Sequence, residues 1–157
     1  MTMMRVGLGV AMLAVAALSA GCQGNERVSR GIKPETVAAW ATIKDLQYTD
    51  TVMGTGPAVG PSSAVELHYD GWLYDPDAPD HHGAKFDSSR DKGRPFQFRV
   101  GSGIVIKGWD EGVEGMKVGG RRQLHIPAKL GYGDRGAGSA IPPNADLVFD
   151  VALVEVQ

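Results

Sequence analysis

The sequence predicts an α+β fold in which several short antiparallel strands pack around one short helix. Strand-length runs of alternating apolar and polar residues recur along the chain, and only one segment of the domain has helical spacing of its apolar residues. Gly accounts for 22 of the 157 residues, about twice average usage, which is typical of a chain with many turns. These observations favour a β-sheet over a helix bundle.

Composition and charge exclude several classes of protein. The chain is 43% hydrophobic and 22% charged, as globular domains are, which argues against a disordered or fibrous chain. Its 16 Lys and Arg against 18 Asp and Glu give a net charge of −2, so we expect no nucleic-acid partner. A single Cys excludes an intrachain disulfide and a multi-cysteine metal site.

Residues 1–21 have the features of a signal peptide. Arg5 is followed by an uncharged, mostly apolar run, Val6–Leu18. Thirteen helical residues span about 20 Å, which is short of the ~30 Å hydrocarbon core, so we expect an export signal and not a membrane span.

Small residues at 19–21 precede the single Cys22, an arrangement that resembles the lipobox of bacterial lipoproteins. In that family the Cys is lipidated and becomes the new N-terminus. Ser19 stands where the pattern usually has Leu, and an ordinary secretory signal with an incidental Cys is the alternative. We expect a lipid-anchored protein at the cell envelope, on the periplasmic side of the inner or outer membrane or on the outer face of a single membrane.

Residues 22–44 are expected to join this anchor to a folded domain at 45–157. Gln23–Arg30 is polar without an apolar period, which is typical of a tether. Pro34–Lys44 predicts a short helix with Pro34 in its first turn.

The domain itself contains five strand-like segments, which are Leu46–Val52, Val65–Leu73, Phe96–Val100, Gln123–Ile126 and Asp146–Val156. The helical spacing of Trp109, Val113 and Met116 predicts one helix from about Lys107 to Met116. Its glycines make it a poor isolated helix, so it must be stabilised by packing, with Trp109 as anchor.

Asp75–Gly83 contains two Pro, three Asp and two His, and is predicted to be an exposed loop. His81 and His82 with these Asp residues admit two interpretations, a metal site or a hydrated loop. We favour the loop, because adjacent residues cannot easily face one ion, and we expect no metal. The sequence contains no nucleophile-elbow, zinc-protease, phosphate-loop or C-x-x-C motif.

Five motifs carry a resemblance to a known family. H-Y-x-G, F-D-S-S, V-I-x-G-W, G-Y-G and I-P-P-x-x-x-L-x-F occur in this order between Leu46 and Gln157. Together they resemble the FKBP family of peptidyl-prolyl cis/trans isomerases. The resemblance implies an antiparallel sheet wrapped around one short helix, with the ligand pocket between them and no cofactor.

The resemblance also implies a set of site residues. Asp87, the hydroxyl of Tyr132 and the backbone N–H of Ile106 would be the catalytic groups, with Trp109 as the pocket floor under the proline ring. The remaining substrate-binding residues would be Tyr69, Phe86, Phe96, Val105, Ile141 and Phe149. Phe98, Ile126 and Leu147 are interpreted as core residues, because they have the period of ordinary buried positions.

Two positions depart from the family pattern. Lys92 stands where an Arg often braces the motif Asp, and Lys cannot form the bidentate pair, so Arg90 is a candidate to compensate. Ala137 stands where a His often follows G-Y-G. We expect an altered substrate preference and not a loss of activity.

The resemblance implies proline-containing unfolded or flexible polypeptides as substrates and macrolides as possible ligands, and we expect a monomer. The leading hypothesis is an envelope-anchored prolyl isomerase. The alternative is a non-catalytic envelope chaperone or binding module that uses the same apolar pocket.

Overall fold

Residues 43–157 are described by the computed structural model, and within them six strands form one antiparallel sheet against a short helix. The predicted signal peptide 1–21, Cys22 and the tether with most of its predicted helix lie outside the described residues. The elements are β1 (Gln47–Val52), β2 (Ala64–Tyr74), β3 (His82–Ser88), β4 (Phe96–Arg99), α1 (Lys107–Gly112), β5 (Arg121–Ile126) and β6 (Leu147–Val156). Short 3₁₀ turns occur at Pro79–His81, Ala128–Leu130 and Gly133–Arg135.

The sheet is ordered β1-β5-β6-β2-β3, and β4 also pairs with β2. β2 is the organising strand, since its 11 residues pair with β6 on one side and with β3 and β4 on the other. Burial alternates at every residue of β2, as its sequence pattern predicts. The odd-numbered residues of β2 therefore point to the inner face of the sheet, where the core lies.

The core confirms the interpretation of the periodic residues. Leu67, Leu124, Ile126 and Leu147 are fully buried, and Phe98 is 6% exposed. Burying each large apolar side chain contributes about 1.5–3 kcal/mol relative to leaving it in water. The antiparallel sheet with one short helix that the sequence predicts is thus the fold observed.

Helix α1 ends four residues earlier than its spacing predicts. Gly115 adopts φ 75°, a left-handed conformation that ends regular helix and turns the chain. The helix lies close to β5, because a Cβ on Gly108 or Gly112 would meet the side chains of Ile126 and Leu124. The glycines that weaken α1 in isolation thus permit the packing that stabilises it.

The prediction of one exposed loop over Asp75–Gly83 is partly wrong. β3 begins at His82, and its burial does not alternate, so the sequence pattern gave no sign of a strand. β3 forms because its backbone pairs with β2, and this pairing has register shifts on both sides of Trp72. His81 and His82 are half-buried because their rings stack on Tyr74 and Trp72.

Among residues 43–157, no helix has the length and apolar character needed to cross a membrane.

Candidate active site

A cavity of about 850 Å³ that opens to solvent lies between the inner face of the sheet and the start of α1. Its wall is mainly aromatic and aliphatic, with a few polar and charged groups at the rim. The lining residues are Tyr69, Phe86, Asp87, Ser89, Lys92, Arg94, Pro95, Phe96, Gln97, Ile104, Val105, Ile106, Trp109, Tyr132 and Phe149. A concave apolar surface with a few convergent polar groups is typical of a small-molecule or peptide-side-chain site.

Trp109 is the most buried aromatic ring of the wall apart from Phe149, with 5% of its surface exposed. Its ring makes edge-to-face contacts with Tyr69 at 4.8 Å, Phe149 at 5.2 Å and Phe96 at 5.7 Å between centroids. Such pairs contribute about 0.5–1.5 kcal/mol each beyond area burial, so the aromatic wall is rigidly packed.

The absence of a side chain at Gly71 allows two rings of this wall to approach the sheet. A Cβ there would lie 2.7 Å from Phe149 and 2.9 Å from Phe86, closer than real contacts allow. Phe86 and Phe149 themselves meet edge to face at 5.5 Å. Gly71 thus sets the position of both rings.

A braced carboxylate, Asp87, lies at the cavity rim. The Tyr69 hydroxyl donates to one carboxylate oxygen at 2.7 Å, and Lys92 Nζ pairs with the other at 2.6 Å. Burial acts to raise the pKa of Asp87, but the bonds from Lys92 and Tyr69 outweigh it and lower that pKa below its usual range. Asp87 is therefore ionised near neutral pH.

The partner phenol responds in the opposite sense. Burial, followed by the hydrogen bond to the Asp87 carboxylate, raises the pKa of Tyr69 to about 12. Tyr69 is therefore a proton donor at all physiological pH values, which fixes the direction of its bond to Asp87.

Hydrogen bonds between β2 and the turn after β3 place Tyr69 beside Asp87. The Tyr69 N–H donates to Ser89 Oγ at 2.9 Å, and the Ser89 N–H donates to the Tyr69 carbonyl at 3.0 Å. Ser89 is 2% exposed, so these bonds are shielded from water. The F-D-S-S motif thus supplies both the carboxylate and the residue that anchors its partner strand.

Ile106 occupies the position before the first residue of α1. Its carbonyl accepts the N–H of Trp109 at 2.9 Å and of Asp110 at 3.4 Å. The Ile106 N–H has no hydrogen-bond partner among residues 43–157. This donor belongs to a residue that lines the cavity.

Tyr132 lines another part of the cavity and is 40% exposed. Burial raises the pKa of its phenol, and the charge of Asp87 adds to that effect. Its hydroxyl therefore stays protonated and available as a donor.

Nine of the ten side chains or backbone groups assigned by resemblance lie together on this cavity, and the tenth, Ile141, does not. Ile141 is 4% exposed in the core, where it forms an isolated bridge with Ala137. The Ala137 and Ile141 N–H groups donate to each other's carbonyl at 2.9 and 3.1 Å. Ile141 is therefore not among the described lining residues, and its role in substrate binding stays a prediction.

The cavity also has lining residues that the assigned site set did not include, which are Ser89, Lys92, Arg94, Pro95, Gln97 and Ile104. Most follow F-D-S-S or precede V-I-x-G-W, so extending each motif along the chain was the signal that could have found them.

Lys92 braces Asp87 directly, through a single ammonium contact. Arg90 instead pairs with Asp70 at 3.3 Å, so the expectation that Arg90 compensates at Asp87 is wrong. Alternation along β2 places Asp70 on the opposite side of the sheet from Tyr69, the residue that bonds Asp87.

The histidines of the 75–83 segment lie on the outer face of the sheet. Gln123 of β5 links His82 to β6, since its side chain contacts His82 at 3.2 Å and Asp150 at 3.1 Å, and it also contacts His125 at 2.9 Å. No group of three or more His, Cys, Asp or Glu side chains within residues 43–157 is arranged to hold a metal ion.

The cavity thus combines an aromatic wall with one ionised carboxylate, two protonated phenols and one unpaired backbone donor, an arrangement typical of a protein that binds an apolar group and orients it by hydrogen bonds. Comparison with known proteins agrees. The family of FKBP-type peptidyl-prolyl cis-trans isomerases matches residues 56–154. The chain belongs to this family.

Relatives and a solved structure extend the match. An FK506-binding protein of Neisseria meningitidis serogroup A is 47% identical over 114 residues, which cover 73% of this chain and 94% of that protein. The peptidyl-prolyl cis-trans isomerase FPR2 of Saccharomyces cerevisiae is 52% identical over 97 residues, covering 62% of this chain and 67% of that one. The crystal structure of AtFKBP13 superposes with a TM-score of 0.62 at 38% identity, covering 71% of this chain and 93% of that chain.

Proposed function

We propose that this isomerase accelerates rotation about X-Pro bonds in exported, unfolded or flexible chains at the cell envelope, held there by a lipid on Cys22. The apolar cavity within residues 43–157 is the observation that supports the proposed X-Pro substrate. The lipobox-like sequence before Cys22 is the observation that supports the proposed location. A Cys that carries two or more acyl chains would anchor stably, whereas one chain binds only marginally.

The chemistry needs only noncovalent groups. Twisting a peptide bond destroys amide resonance and costs ~18–20 kcal/mol, so X-Pro bonds turn in tens to hundreds of seconds unaided. Turnover in milliseconds requires roughly 10⁴–10⁵-fold acceleration, or about 5–7 kcal/mol. The twisted amide has less charge separation than the planar one, so a water-poor aromatic cavity disfavours the planar ground state relative to it.

Each residue of the cavity has a role that follows from its position. The proline ring lies on Trp109, while the Ile106 N–H and the Tyr132 hydroxyl donate to substrate carbonyls. Asp87, fixed by Tyr69 and Lys92, lies near the bond that turns. Each donor accelerates the reaction only to the extent that its bond is stronger in the twisted state.

The aromatic wall also suits a macrolide. Relatives carry the name FK506-binding protein, and we propose that FK506 occupies this cavity too. Isomerase activity should then fall with added FK506 in a saturable way, whereas activity that is indifferent to excess FK506 would contradict this part of the proposal.

Activity is tested on the purified protein in a proline-limited refolding assay. We expect faster refolding with protein than without, and Tyr132→Phe should lower kcat/KM about two- to tenfold by removing one hydrogen bond. Unchanged thermal unfolding would show that the variant is folded, because Tyr132 is 40% exposed. Equal refolding rates with and without the wild-type protein would reject the activity.

The location needs a separate measurement. Expression in a bacterial host should yield a protein that partitions into detergent and whose intact mass begins at Cys22 with added lipid. Cys22→Ser should abolish both properties. A water-soluble wild-type product without lipid mass would defeat the anchoring proposal while leaving the isomerase activity untouched.

A further inference from the structure

The cavity rim carries a cation that no acidic side chain of the described chain neutralises. The three basic residues that precede Arg94 between β3 and the following turn are all paired: Lys85 lies 2.8 Å from Asp91, Arg90 3.3 Å from Asp70 and Lys92 2.6 Å from Asp87. Arg94 lines the cavity and has no carboxylate within ion-pair distance among residues 43–157.

The backbone around Arg94 is held in place. Its N–H donates to the Ser89 carbonyl at 3.3 Å, which closes the turn between β3 and β4. Pro95 follows, and a residue before Pro is restricted to extended conformations. The exposed guanidinium is therefore carried on a fixed base beside Phe96, at the edge of the apolar wall.

The charges facing the cavity do not cancel. Asp87 is already satisfied by Lys92 and by the Tyr69 hydroxyl, which leaves Arg94 as the uncompensated charge among the described lining residues. A substrate that brings an acidic side chain would neutralise it, and a substrate that brings a basic side chain would meet repulsion.

We propose that Arg94 is a specificity-determining residue that selects X-Pro segments with a Glu or Asp within two residues of the Pro. The inference rests on the proposed isomerase activity and adds the charge of its preferred substrate. An exposed guanidinium–carboxylate pair corresponds to about a two- to fivefold preference, and added salt should screen it.

The preference is measured by NMR exchange between cis and trans forms of short Leu-Pro peptides with the full chain. One set places Glu, Gln or Lys two residues before the Pro, and a second set places the same residues two residues after it. In at least one set, we expect kcat/KM to be about two- to fivefold higher for Glu than for Lys, with Gln between them. The ratio should approach one at 0.5 M salt.

Variants assign the preference to one side chain. Arg94→Gln should bring the Glu-to-Lys ratio close to one, and Arg94→Glu should invert it. Arg99→Gln is the matched control, because Arg99 is also exposed and does not line the cavity, and its side chain bonds only the Ser62 carbonyl. In this variant, the Glu-to-Lys ratio should stay at the wild-type value.

The outcomes separate the two proposals. No acceleration of any peptide would reject the isomerase activity and this inference with it. Equal kcat/KM values for the Glu and Lys peptides would overturn only the role of Arg94. A Glu-to-Lys ratio that is unchanged in Arg94→Gln would do the same.

Discussion

Within residues 43–157, both faces of the central strands carry aromatic clusters, and the cavity of about 850 Å³ lies at the inner cluster. On the inner face, Trp109 meets Tyr69 and Phe149 edge to face, at interplanar angles of 77° and 83°. On the outer face, Trp72 stacks on His82 at 3.8 Å and 8°. A stacked pair covers one face of each ring, whereas an edge-to-face pair leaves ring faces open to a ligand, and Trp72 and Trp109 differ in this respect.

The carboxylates of the two faces also differ in their surroundings. Asp87 bonds a phenol and an ammonium group at the rim of the cavity. Asp150 accepts a hydrogen bond from the Gln123 amide and lies 3.5 Å from His82, within a network that joins β3, β5 and β6. The inner carboxylate borders the cavity, whereas the outer one connects strands.

The largest contrast should come from replacing the tryptophan of each face by Ala. Trp109→Ala removes a ring that is 5% exposed and packs against several others, so we expect a loss of about 3–5 kcal/mol in the free energy of unfolding. Trp72 is half-buried, and Trp72→Ala should cost about 1–2 kcal/mol. Urea denaturation measures both, and equal losses would show that the faces contribute alike.

A smaller contrast concerns catalysis. Asp87→Asn keeps the size of the side chain but removes the charge that pairs with Lys92, and we expect kcat/KM to fall about tenfold, or about 1.4 kcal/mol. Asp150→Asn is the matched variant on the outer face and should change kcat/KM by less than about twofold. The refolding assay gives both values, and a comparable fall for Asp150→Asn would refute the division between faces.

The smallest expected effect is a pH dependence of stability on the outer face. Burial, with smaller effects of His81 and His82, lowers the pKa of His125 below its ordinary value. Between that lowered pKa and the unfolded value of about 6.5, the unfolded chain binds more protons, so stability falls as the pH drops through this window.

Urea midpoints at pH 7.5 and 5.5 measure this dependence, and His125→Gln should reduce the difference between them. A difference that is unchanged by His125→Gln would assign it to other groups. Isomerase activity should vary less over the same range, because the lowered pKa of Asp87 keeps that carboxylate ionised.

The sequence alone determined the parts of this protein that depend on local periodicity and on contiguous motifs. Strict alternation predicted β2 and the core role of Leu147, because side chains of a strand point alternately to opposite faces. The motif order led to the family and to nine of the ten assigned cavity residues. The roles of these residues in catalysis stay predictions.

Only the tertiary structure decided the features that depend on pairing between distant segments. β3 exists through its irregular pairing with β2, Ile141 forms a backbone bridge with Ala137, and Arg90 pairs with Asp70. The physical reason is that these hydrogen bonds and ion pairs form between residues on neighbouring strands. Which residues become neighbours is determined by the register of the whole sheet and not by the residues next in sequence.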